Sequence, residues 1–73
     1  MLIDKVKHPD ARFVVAWFSK NLVQIAAETY LKVSAQLEWR QIQNSYSGIH
    51  WEVMTVEEYN QRVEKLQSSG GAK

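Results

Sequence analysis

Two pairs of side chains in this 73-residue chain have the types and spacing for proton or metal chemistry. His50 and Glu52 stand two apart in "GIHWEVM", a spacing that puts both on one face of a strand. His8 and Asp10 flank Pro9 in "KHPDAR", where a turn would hold them close. Neither pair reaches the three or four convergent ligands of a zinc site. The chain has no cysteine, which removes thiolate ligands, thiol nucleophiles and disulfides together. No Gly-rich loop is present to cradle a phosphate, because Gly70 and Gly71 belong to the terminal "SSGGAK". No serine sits in a nucleophile motif. Acid/base work by His50 and Glu52 needs a desolvating cleft, which a domain this small rarely contains. The expectation is a non-enzymatic chain with no metal, no cofactor and no small-molecule substrate, acting by binding.

The His8-Pro9-Asp10 tripeptide is also the signature of J-domain co-chaperones, where it lies between two long antiparallel helices. Here seven residues precede His8, too few for the first of those helices. The tripeptide is better read as the start of a helix or turn, with Pro9 at a first helical position and Asp10 in the first turn.

Composition sets further bounds. Residues 1–67 are expected to form one compact domain, with residues 68–73 as a disordered tail of small flexible residues. A domain of this size buries only about 60% of its unfolded surface, so its core must be efficient. A hydrophobic fraction of 45%, with three Trp, three Tyr and two Phe, suits that need. No apolar run approaches a membrane span, and charges occupy the N-terminal stretch where a signal peptide is apolar. With no cysteine, this points to a cytoplasmic location. A net charge of +1 is too balanced to imply nucleic-acid binding by itself. The first 20 residues are mildly basic, and residues 49–67 are mildly acidic.

Periodicity predicts the elements that must position any site. In "TVEEYNQRVEKLQ", Thr55 caps a helix, Glu58 completes a capping box, and Val56, Tyr59, Val63 and Leu66 form its apolar stripe. Glu58 and Arg62 are spaced for an ion pair on the wet side. Residues 49–54 read as a strand, with "LIDKV" near the N-terminus as its neighbour. Asn21 and Ser34 are expected to cap helices over 22–31 and 34–44. Residues 9–19 read as a helix, although their β-branched and aromatic content also suits a strand. The expected fold class is α+β, mostly helical, with a helix-turn-helix-like centre, a short two-stranded β element and a C-terminal helix.

That centre carries a resemblance. In "IAAETYLKVSAQLEWRQI", Ile25-Ala26-Ala27, Val33-Ser34 and Leu37 fall near helix-turn-helix positions. The following "HWEVMTVEEYNQRVEKL" looks like the strand and closing helix of small phage excisionases and related winged-helix regulators. The turn departs from that pattern, with Tyr30, Leu31 or Lys32 where glycine is usual. The resemblance implies DNA binding, with Gln36, Arg40 and Gln43 facing the major groove and Lys32 among the lysines left for phosphates.

A second reading starts from the aromatic content and the charge balance. Trp, Tyr and Arg are the types enriched at interface hot spots. The candidate partner-binding residues are Lys5, Lys7, Arg12, Leu37, Arg40, Tyr46 and Trp51. The chain is similar in type to small phage-encoded regulators, among them proteins that bind host RNA polymerase. The expected role is therefore regulation of transcription through a protein of that machinery. DNA binding of excisionase or repressor type is the alternative, and an assembly subunit a third.

Overall fold

The stretch "FVVAWF" is apolar at all six positions. A half-buried strand would alternate, so such a run belongs to a segment covered on every side, and periodicity alone does not separate strand from helix there. In the computed structural model, which describes residues 2–71 and the side chains of residues 2–68, it is a central strand with a helix on each face. In chain order the elements are β1 (Leu2–Ile3), β2 (Phe13–Phe18), β3 (Leu22–Thr29), α1 (Lys32–Ser45), β4 (Glu52–Thr55) and α2 (Val56–Gly71). The strands form one mixed sheet in the order β1-β3-β2-β4, with β1 parallel to β3 and the other pairings antiparallel. Val14, Ala16 and Phe18 face the α2 side with Val23, Met54 and Tyr59. Phe13, Val15 and Trp17 face the α1 side with Ala35 and Trp51.

The fold is α+β as expected, but it is about 40% helix and 30% strand, so it is not mostly helical. No helix-turn-helix occurs among the described residues. Two expected helices are strands. The one over 9–19 becomes a turn, with Ala11 N–H donating to His8 C=O at 3.1 Å, followed by β2. The one over 22–31 becomes β3, and Ser19 rather than Asn21 organises its start. The Ser19 hydroxyl accepts from Leu22 N–H at 3.1 Å and donates to Leu22 C=O at 2.8 Å, closing the β2–β3 hairpin.

The register of that hairpin explains the misleading pattern. Val15 lies opposite Ala27 and Ala16 opposite Ile25, so Ala26 has no partner and forms a bulge. The extra residue turns Ile25 toward α2 and Ala27 toward α1. A strand with a slipped alternation imitates helical spacing.

The expected partnership of the N-terminal and 49–54 strands is also replaced. β1 pairs with β3 and β4 with β2, which puts β1 and β4 at opposite edges. Residues 49–51 precede the strand rather than belonging to it. Ser34 is not the cap of α1. The helix begins two residues earlier, after Leu31, with no side-chain cap.

The last helix follows its sequence closely. Thr55 Oγ1 accepts from Glu58 N–H at 3.0 Å, and Val56, Tyr59, Val63 and Leu66 all pack into the α2-side core. Arg62, however, bonds Glu52 of β4 at 2.9 Å instead of Glu58, and its guanidinium lies 4.2 Å over the Phe18 ring. The backbone of α2 continues through Gly71, and residues 72–73 of the expected tail lie outside the described residues.

Beyond Asp4, whose N–H still donates to Val23 C=O at 2.9 Å, the N-terminal segment leaves the strand ladder, and two carboxylates take over its pairing with β3. Asp4 accepts from Ile25 N–H at 3.0 Å, while Glu28 accepts from Lys7 N–H and His8 N–H, each at 2.9 Å. Glu28→Ala should therefore release this segment without unfolding the sheet. Amide exchange at Lys7 and His8 should speed up severalfold while Val14 and Val15 keep their protection. Unchanged exchange at Lys7 and His8 would show that Glu28 is not the clamp.

Candidate protein-binding surface

α1 carries two apolar stripes, and one sheet can bury only one of them. Ala35 is fully buried, with Trp39 and Ile42 packed beside it against the sheet. At about 100° per residue, Val33, Leu37 and Arg40 point within about 40° of the direction opposite Ala35. Val33 and Leu37 are 58% and 55% exposed, and Tyr30 and Leu31 at the helix entry are 59% and 54% exposed. Most of the large exposed hydrophobics among the described residues thus fall within one eight-residue window. Scattered exposed hydrophobics need no explanation, but a contiguous group marks an interaction surface.

The rim of this surface is basic. The Arg12 guanidinium lies 5.1 Å over the Tyr30 ring, which brings the end of the N-terminal segment to the start of α1. Lys32 and Arg40 are exposed on the helix itself, where Glu38 is the only acidic residue. The first turn of α1 has neither a side-chain cap nor an acidic residue to offset its N-terminal dipole.

Alongside lies a groove of about 560 Å³ between α1 and β4, lined by Gln36, Trp39, Arg40, His50, Trp51, Glu52 and Val53. Three side-chain hydrogen bonds hold its floor. Trp39 Nε1 donates to Trp51 C=O at 2.6 Å, Trp51 N–H donates to Gln43 Oε1 at 3.1 Å, and Gln43 Nε2 donates to Ile49 C=O at 2.8 Å. Trp51 is 6% exposed, its ring centroid is 6.3 Å from that of Trp17, and its indole N–H has no partner among the described residues.

The residues singled out from sequence separate into groups. Arg12, Lys32, Gln36, Leu37 and Arg40 are exposed on or beside α1. Tyr46 is 58% exposed just after the C-terminal end of α1. Lys5 and Lys7 lie on the segment that continues β1, at the opposite edge of the sheet from β4. Trp51 is core, and Gln43 is committed to the 49–51 segment, so neither is offered to a partner. His50 is exposed ahead of β4, and the Glu52 carboxylate is held by Arg62. Among the described residues no group of three or more His, Asp or Glu is gathered that could hold a metal ion, and no helix is long and apolar enough to cross a membrane.

Sequence reasoning did not bring Leu31 and Val33 to a surface, because it ended one helix at Leu31 and placed Val33 just before the Ser34 cap of the next. The available signal was the pair of stripes, Tyr30-Val33-Leu37 and Ala35-Trp39-Ile42. The chain matches no known protein family, no curated protein and no solved structure.

Proposed function

We propose that this protein acts by binding, not catalysis, in the cytoplasm, and that α1 presents its outer face to a protein of the transcription machinery, RNA polymerase foremost. The observation that carries the binding reading is the exposed stripe of Tyr30, Leu31, Val33 and Leu37, edged by Arg12, Lys32 and Arg40. Apolar side chains in the centre with cations at the rim suit a partner surface that is apolar and acidic. The choice of polymerase rests on likeness of type to small phage-encoded regulators.

DNA binding keeps less support. Lys32, Gln36 and Arg40 remain accessible, but Gln43 is engaged and no first helix leads into α1 as a helix-turn-helix requires. The exposed hydrophobics would also meet phosphates, with which they gain nothing. An assembly role would put a second copy on the same stripe.

The test is a chemical-shift titration of labelled protein with purified polymerase and, separately, with random duplex DNA. Shifts at Val33, Leu37 and Arg40 with polymerase are expected. Leu37→Asp should weaken that binding at least tenfold and leave the fold intact, since its side chain points to solvent. Undiminished binding by Leu37→Asp would sink the proposal. So would silence with polymerase combined with salt-sensitive shifts on DNA, or a mass that doubles with concentration.

A further inference from the structure

The two edges of the sheet are protected to very different degrees. At the β1 edge the described strand is only two residues long, and the carboxylates of Asp4 and Glu28 occupy the amides beyond it. At the other edge β4 has four residues, "EVMT", with no proline, no lysine and no bulge. Natural edge strands usually carry one of those devices against further pairing. The single charge on β4, Glu52, is already held by Arg62.

The ladder shows which groups of β4 are open. Val56 N–H donates to Arg12 C=O at 2.8 Å, and alternation along an antiparallel pair then turns the N–H and C=O of residues 52 and 54 toward β2. The N–H and C=O of Val53 and the N–H of Thr55 point away from the sheet, while the Thr55 C=O opens the hydrogen-bond ladder of α2. One step earlier, α1 has already closed the edge, because the Trp51 N–H and C=O are bonded by Gln43 and Trp39. The open ladder therefore begins at Val53, where it borders the groove beneath Gln36 and Arg40.

We infer that β4 accepts an extended acidic peptide as a fifth strand, with its main chain on Val53 and Thr55 and a carboxylate on Arg40. Main-chain bonds supply affinity in this mode of recognition, and the groove selects alternate side chains. The selection is for acid because Arg40 has no ion-pair partner among the described residues, while the nearby Glu52 does. A second copy fits less well. Pairing β4 with its own copy about a two-fold axis sets both α1 helices on the same face, with Arg40 of each copy turned toward the shared junction.

This inference shares Arg40 with the rim of the α1 stripe but uses none of its apolar residues, and it stands without the polymerase reading. The probe is a capped peptide, Thr-Asp-Val-Glu-Val-Glu-Thr, titrated into the labelled full chain, with a lysine-for-acid version as control. Saturable shifts and slowed amide exchange at Val53 and Thr55 are expected with the acidic peptide and not with the basic one. Arg40→Glu should weaken binding at least tenfold, whereas Leu37→Asp should leave it unchanged. The inference fails if exchange at Val53 and Thr55 is unaffected by millimolar peptide, or if both peptides bind equally. It also fails if those amides are already protected in a concentration-dependent dimer, which would make the occupant a second copy.

Discussion

Trp51→Ala should leave the chain largely unfolded at 25 °C in buffer where the parent protein folds cooperatively. The side chain is 6% exposed and packs with Val15 and Ala35 in the core beneath α1. Truncating a buried tryptophan costs about 3–5 kcal/mol through lost transfer energy and the cavity left behind. Total stability in single domains begins at about 5 kcal/mol, and a domain this small lies at the low end. The loss is thus comparable to everything the fold has. Trp51→Phe keeps an aromatic ring in the site and removes an indole N–H that has no acceptor among the described residues, so its penalty should be much smaller. Urea titrations followed by far-UV circular dichroism would decide the matter. A Trp51→Ala midpoint close to the parent's would mean that the α1 face of the sheet is not held by this residue.

Stability should also fall steeply above pH 10, because of one buried tyrosine. Tyr59 is 1% exposed, its hydroxyl donates to Asp4 C=O, and its ring centroid lies 5.7 Å from that of Phe18. Burial, then the nearby carboxylates of Asp4 and Glu28, push its pKa up to about 12. The unfolded chain releases the same proton near pH 10. Between those two values the folded state holds a proton that the unfolded state has lost, so raising the pH favours unfolding. The stabilisation is complete below about pH 10 and is gone once the pH passes about 12. A displacement of about two units corresponds to about 2–3 kcal/mol.

Tyr59→Phe provides the control. At neutral pH it should be about 1–2 kcal/mol less stable than the parent, because the Asp4 carbonyl loses its donor. That gap should narrow or reverse by pH 11.5, since phenylalanine has no proton to lose. Urea midpoints of both proteins from pH 8 to 11.5 test this. Parallel curves would show that Tyr59 is not responsible for the alkaline loss, because every other side chain is common to both proteins.

Residue spacing and caps revealed the features that are decided locally. The α2 stripe, its Thr55 cap and the outward position of Leu37 all depend on neighbours within a few turns. The strands were less legible for a specific reason. In β2 both faces are covered, which erases the alternation that marks a strand, and in β3 the bulge at Ala26 replaces that alternation with a helix-like spacing. Capping chemistry at Asn21 then reinforced the wrong period, because the same small polar residues serve hairpin turns and helix starts. The candidate surface was legible in part. Arg12, Leu37 and Arg40 were visible as exposed types, whereas the open edge at Val53 depends on which strand becomes the neighbour of β4.

By itself, then, the sequence determined a Cys-free α+β chain small enough for a single core, the closing helix with its cap, and an α1 helix with more apolar surface than one core can use. Only the tertiary structure decided that residues 13–29 form a hairpin, that Arg62 takes Glu52 rather than Glu58, that Trp51 and Gln43 serve the interior, and that β4 is left with an open edge. The first set depends on contacts within one or two helical turns and on bulk composition. The second depends on pairings between residues from five to 42 positions apart, where burial and register override local preference.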